Sequence, residues 1–291
     1  MPTSNGSAAA GERRAAATRR RRRSPGWVPD QHGAWAMLVI PLLLGVVASG
    51  PTWVHLPLAV VWVLGYFAFY AVGLWLKSRL KKKYFPPVRA YVIALIVPAV
   101  AVLLLQPALV VWSLPFAPLI AISLWCSYQR RDRSLLNDGV TVLAACLMLP
   151  VAYSAGLPHT PLPDVAGWLG QPGPVGWPAV WAATGLVLAY FLGTVLYVKS
   201  LIRQRGDRRF LAASVGYHAL VTVIVLVVAA ATRGADAGPW WWVAAIVFAL
   251  LTVRAWWVPR TAAKPLQFGL GEFAASVVVG LVALGVLGVV G

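Results

Sequence analysis

Nine apolar stretches divide the chain, at about 34–51, 55–76, 88–105, 108–126, 139–156, 178–198, 210–231, 239–258 and 268–290. Each has about the ~20 residues that a helix rising ~1.5 Å per residue needs to cross a ~30 Å hydrocarbon core. Polar and apolar positions do not alternate within them, so barrel strands are excluded, and an isolated strand would leave its backbone unpaired in lipid. The pattern predicts an all-α fold, a polytopic membrane bundle of nine transmembrane helices. Spans 3 and 4 are joined only by Gln106-Pro107, a tight hairpin. Pro41, Pro98, Pro115 and Pro118 are positions where a span could kink.

Composition agrees with that pattern. Apolar and aromatic residues make up 60% of the 291, charged residues only 11%, and the mean hydropathy is +0.75, whereas a soluble domain is about a quarter charged. A net charge of +17 would suggest nucleic acid in a soluble protein. Here it is a matter of topology. The basic residues fall before span 1 (Arg13, Arg14, Arg19 to Arg23) and on connections 2–3, 4–5, 6–7 and 8–9, leaving only Arg233 on the alternate set. Lys and Arg are retained on the cytoplasmic side, so the N-terminus is predicted inside and Gly291 outside. Trp53, Trp112, Trp177, Trp181 and Trp240 to Trp242 mark the outer interface; Trp27, Trp35, Trp75, Trp125, Trp256 and Trp257 mark the inner one.

Two domains follow: a basic cytoplasmic tail, 1–26, too poor in apolar residues to fold, and a single transmembrane domain, 27–291. The run Arg19 to Arg23 reads as a topogenic anchor at anionic headgroups. The alternative is a signal peptide cut near Ala48-Ser49-Gly50. The Pro- and Gly-rich stretch Leu157 to Trp177 reads as a flexible loop rather than a lid, and whether it is ordered stays open. Cys126 and Cys146 form neither a disulfide framework nor a CxxC metal site.

Charged groups inside spans are costly and therefore informative. Arg254 and Glu272 lie at comparable depth in spans 8 and 9 and are expected to pair. His218, within span 7, is a candidate interhelical hydrogen-bonding group or proton carrier. His32, in Asp30-Gln31-His32-Gly33, is either part of a helix cap or part of a site. On the 4–5 connection, Arg130, Arg131 and Arg133 could form an anion-binding cluster, while Asn137 or Asp138 fits the N-cap of span 5. Spans 2 and 6 end alike, in Trp75-Leu76-Lys77-Ser78 and Tyr197-Val198-Lys199-Ser200. If spans 1–4 and 5–8 are two related four-helix halves, with span 9 added, these ends meet on the inner face. Tyr66, Tyr70, Gly73 and Lys77 then share one helical face, and Lys199, Arg203 and Asp207 another.

Pro29-Asp30-Gln31-His32-Gly33-Ala34-Trp35-Ala36 and Arg130-Arg131-Asp132-Arg133-Ser134-Leu135-Leu136-Asn137-Asp138 resemble the YwiC-like family of bacterial membrane proteins. That resemblance extends over nearly everything after residue 26 and implies an integral membrane protein without specifying a chemistry. More distantly, Tyr128 to Arg131 with Gly139 and Pro150, and Gly206-Asp207-Arg208-Arg209, resemble the UbiA-type intramembrane prenyltransferases. Those too are implied to have nine helices and an inner pocket at the ends of helices 2 and 6. Their first Asp-rich motif is missing, since this chain reads Tyr70-Ala71-Val72-Gly73-Leu74-Trp75-Leu76-Lys77, and only Asp207 stands near the second. Carboxylates of that kind hold Mg²⁺; Lys77, Lys199 and Arg203 would instead neutralise an anion directly.

The sequence thus predicts a ligand site of Lys77, Lys199, Arg203, Arg131, Asn137 and His32, a structural ion pair Arg254–Glu272, and no metal or cofactor. The partners expected are membrane lipid and an anionic amphipathic or isoprenoid-type ligand, with no nucleic acid. A small-anion transporter and a structural or accessory subunit without a ligand remain alternatives, and oligomeric state and enzymatic activity stay open.

Overall fold

Long uninterrupted apolar runs leave the backbone one way to satisfy its hydrogen bonds in lipid, the helix. The computed structural model describes residues 26–29, 34–158, 173–261 and 265–290, and among them there is no strand. The 1–26 tail except Gly26, the candidate His32 and most of the 157–177 connection lie outside the described residues.

The helices are α1 (Ala34–Ser49), α2 (His55–Lys77), α3 (Phe85–Leu105), α4 (Ser113–Tyr128), α5 (Leu135–Cys146), α6 (Met148–Gly156), α7 (Trp177–Ile202), α8 (Arg208–Ala231), α9 (Gly238–Trp257) and α10 (Pro265–Val286). Three turns of 3₁₀ helix cover Lys82–Tyr84, Pro107–Trp112 and Val258–Arg260. With α5 and α6 taken as one interrupted span, the described residues contain eight helices long and apolar enough to cross a membrane. The ninth, α1, has 16 residues, about 24 Å of helix. One face of it packs against α2, α5, α6, α7 and α10, while Trp35, Val39, Leu43 and Val47 stay exposed on the other.

Several boundaries differ from the sequence pattern for identifiable reasons. Span 5 begins at Leu135, not 139, because Ser134 caps it: its Oγ accepts from the Asn137 N–H at 3.2 Å. The cap is therefore neither Asn137 nor Asp138. The same span breaks at Leu147. Pro150 has no N–H for the carbonyl of Cys146, four residues back, and its ring crowds that carbonyl. Helix α7 stops at Ile202, so Asp207 does not extend the stripe of Lys199 and Arg203. It stands at the start of α8, where its Oδ1 accepts from the N–H groups of Arg209 (2.8 Å) and Phe210 (3.1 Å).

Lipid is as apolar as leucine, so helices associate in it through close packing and small residues. Gly45 of α1 shows this: a Cβ there would fall 2.6 Å from the Ala152 Cβ and 2.9 Å from the Tyr153 nitrogen of α6. Around this contact run two apolar cores. One gathers α7 to α10 with Leu44, Ala48, Val142, Leu149 and Tyr153. The other gathers α1 to α3 and the 3₁₀ turn before α4 with Met148, Val151 and Ala152. The outside is greasy instead of polar; on α3 alone Val92, Ile93, Ile96, Val97, Val100 and Leu104 are exposed. An apolar surface of that extent does not persist in water. The protein is a multi-pass helical membrane protein.

Candidate functional site

The connections rich in Lys and Arg gather at one end of the bundle, hereafter the basic face. Side chains from α2, α4, α5 and α7 converge there on the six residues between α4 and α5. From the last residue of α2, Lys77 reaches Asp132, Nζ to Oδ2 2.8 Å. From the last turn of α7, Lys199 donates to the Arg133 carbonyl at 2.9 Å and pairs with the Asp138 carboxylate. Buried Asn137 closes the loop from within: its Nδ2 donates to the Asp132 carbonyl at 2.8 Å, and its Oδ1 accepts from Ser123 Oγ of α4 at 2.6 Å.

Lys77 and Lys199 are thus brought to one loop, Lys77 as the partner of Asp132 within it and Lys199 as the partner of Asp138 on the first turn of α5. Their helices α2 and α7 meet mainly through that loop. The lysines were expected to face an anion directly; each instead has a carboxylate in contact. Asn137 likewise has both ends of its amide engaged by the fold. The ties hold the loop from three sides while its arginines project outward: Arg130, Arg131 and Arg133 are exposed, as is Arg203 at the end of α7, and none pairs with a carboxylate among the described residues. Arg130 has φ +58°, and the Arg131 N–H bonds the Cys126 carbonyl at 2.7 Å. Glycine usually occupies that left-handed helix-ending position.

Beside the brace, an apolar groove of about 210 Å³ opens between α5, α7 and α8, lined by Leu135, Gly139, Leu192, Val195, Leu196 and Tyr217. Gly139 follows Asp138 directly, and Leu196 lies one turn before Lys199, so the groove ends at the braced ion pair. A Cβ on Gly139 would meet nothing within 4 Å. The sequence pattern gave no hint of this groove. Nor did it assign the lysines to Asp132 and Asp138, because pairs so distant along the chain leave no periodic signal.

Deeper in the bundle, Arg254 Nη1 lies 2.7 Å from Glu272 Oε1. Thr194 of α7 donates to Glu272 Oε2 at 2.9 Å, and the Arg254 guanidinium sits 4.3 Å from the centroid of the Tyr197 ring. The pair thereby fastens α9 and α10 to α7. His218 is buried, and its Nδ1–H donates to the Ser214 carbonyl at 2.7 Å. At the opposite end, His55 was not singled out by the sequence. Its Nδ1 accepts the Thr52 N–H at 2.9 Å, which leaves Nε2–H to donate to the Ala152 carbonyl, also at 2.9 Å. Among the described residues no three His, Cys, Asp or Glu side chains cluster as a metal site would need.

Fold and site define a polytopic helical membrane protein with a braced, arginine-bearing loop on its basic face. The chain belongs to the YwiC-like family, whose pattern, described as YwiC-like protein, matches residues 28–153. Uncharacterized protein YwiC of Bacillus subtilis is 35% identical over 198 residues, 67% of this chain and 74% of that protein. An uncharacterized protein of Haemophilus influenzae is 25% identical over 253 residues, 86% of this chain and 94% of its own length. No solved structure matches the chain. The family match encloses Lys77 and the whole α4–α5 loop; Lys199 lies beyond it.

Proposed function

We propose that the protein resides in the cytoplasmic membrane with its basic face and N-terminus inside and its C-terminus outside, and that it binds an anionic amphipathic molecule, isoprenoid-type lipids included. The head group lies on Arg131, Arg133 and Arg203, and the tail enters the groove beside Gly139. Lys77, Lys199 and Asn137 hold the loop in the binding geometry. One observation carries this reading: a short loop tied by two lysines and a buried asparagine presents unpaired guanidinium groups next to an apolar groove. Fixing a loop before the ligand arrives removes an ordering cost from binding, and planar guanidinium groups suit phosphate and carboxylate oxygens. Asp132 and Asp138 are each already paired with a lysine, so the head group meets side-chain cations and not a carboxylate-held Mg²⁺.

Lipid mass spectrometry on the purified protein identifies what it retains. Farnesyl diphosphate, used as a probe, is expected to bind the wild type and to lose affinity at least tenfold in Arg131→Gln/Arg203→Gln, since each charge-assisted hydrogen bond is worth about 1.5–3 kcal/mol. Gly139→Leu, whose Cβ would meet nothing within 4 Å and whose side chain would fill the groove, is expected to weaken the farnesyl probe and to leave inorganic diphosphate binding unchanged. Equal retention of the farnesyl probe by the wild type and both variants would overturn the proposal.

A further inference from the structure

A second basic surface adjoins the braced loop on its α2 side. Between α2 and α3, Arg79, Lys81, Lys82 and Lys83 are exposed within five residues, followed by exposed Arg89 on the first turns of α3. None of the five pairs with a carboxylate among the described residues. Their positions are set locally. Arg79 and Leu80 both have φ +61°, and the Leu80 N–H bonds back to the Trp75 carbonyl at 3.0 Å. The Ser78 hydroxyl donates to the Trp75 carbonyl at 2.7 Å and accepts the Lys81 N–H at 3.3 Å. Two consecutive side-chain-bearing residues in the left-handed region are disfavoured, so this turn is held in place by its bonds. It directs Lys81 to Lys83 into a 3₁₀ turn at the head of α3.

Aromatic rings fix the depth of this surface. Trp75 packs on Phe85 at 5.2 Å, Trp125 on Tyr128 at 6.1 Å, and the Arg79 guanidinium lies 5.3 Å from the centre of the Tyr128 ring. Exposed Trp125 and Tyr128 end a spanning helix and sit at headgroup level, and half-buried Trp75 lies at the matching end of α2. The cations between them therefore occupy the plane of the lipid phosphates, where each basic residue adds attraction to an anionic leaflet.

We propose that the α2–α3 connection binds the phosphate headgroups of anionic phospholipids in the leaflet it faces, and so holds a specific lipid against α2 and α4. The surface is independent of the ligand proposed for the braced loop. The test uses the full chain in mixed micelles with phosphatidylglycerol and phosphatidylcholine in equal amounts, retained lipid being counted by native mass spectrometry. The wild type is expected to retain phosphatidylglycerol preferentially. Lys81→Gln/Lys82→Gln/Lys83→Gln is expected to lower that preference by at least about tenfold, while the corresponding triple Arg variant keeps it. Arg131→Gln/Arg203→Gln should keep most of it, losing at most the phosphatidylglycerol that the braced loop itself takes, which separates this proposal from the preceding one. No preference in the wild type, an unchanged preference in the triple Gln variant, or loss only in the Arg131/Arg203 variant would overturn it. So would equal competition by an RNA oligonucleotide, which would mark a general polyanion surface.

Discussion

Single residues show where this fold accepts a local penalty. Arg130 adopts φ +58° at the end of α4, where a side chain costs roughly 1–2 kcal/mol relative to the relaxed backbone and glycine costs little. The substitution Arg130→Gly is expected to raise unfolding stability in detergent by about 1 kcal/mol, read as a higher midpoint in thermal unfolding. Arg130→Ala keeps the strained backbone and should leave the midpoint unchanged; a loss in both variants would mean that the guanidinium itself supports the fold. An arginine retained at such a place on the loop between Lys77 and Lys199 fits a role for its charge at the surface. Two other residue-scale features carry a local signal that the span pattern passed over: Ser134, three places before Asn137, is the cap where Asn137 or Asp138 was expected, and Pro150 marks a break after Cys146 inside a span expected to be continuous.

At the scale of elements, Lys77 and Lys199 end their spans alike in the sequence and sit in unequal ion pairs in the structure. The Lys77 and Asp132 side chains are 40% and 30% exposed, those of Lys199 and Asp138 10% and 22%. An exposed pair contributes about 0–1 kcal/mol, whereas removing one member of a buried pair strands a charge and costs about 3–5 kcal/mol. Asp138→Asn is therefore expected to destabilise by several-fold more than Asp132→Asn in chemical unfolding of the reconstituted protein. Equal effects would show that Lys199 is held by the Arg133 carbonyl alone. The helices were visible in the sequence because a span is a local, contiguous property. The brace was not, because Lys77–Asp132 and Lys199–Asp138 join elements far apart along the chain, and matching ends on spans 2 and 6 show that two lysines lie at one level without showing what each touches. Arg254 and Glu272 were easier to match, since they lie at equal depth on consecutive antiparallel spans and lipid offers a charge few other partners.

For the whole molecule, the four basic connections are drawn to one end by contacts of different kinds: Lys77 with Asp132 joins connections 2–3 and 4–5, Lys199 with Asp138 adds connection 6–7, and Gln204, Asp207 and Arg208 line a small cavity together with Pro259 of connection 8–9. The opposite end is built from neutral contacts. Gln106 Nε2 donates to the Leu157 carbonyl at 3.1 Å, Trp112 Nε1 to Ser154 Oγ at 3.0 Å, and Trp240 Nε1 to the Val290 carbonyl at 3.0 Å. Arg233, the one basic residue of that end, lies 5.4 Å from the centre of the Trp242 ring. Charge retention on the cytoplasmic side supports the direction proposed for the bundle, and moving any one basic connection across would carry the others with it through their shared contacts. Single cysteines at exposed Lys82, Arg205 and Asp236, placed in a chain with buried Cys126 and Cys146 replaced by alanine, put this to a direct measurement. In intact cells a membrane-impermeant maleimide is expected to label position 236 and to reach 82 and 205 only after permeabilisation. Labelling of 82 and 205 from opposite sides would break the common face that brings Lys77 and Lys199 to one loop, and labelling of both from outside would reverse the direction while leaving the brace intact.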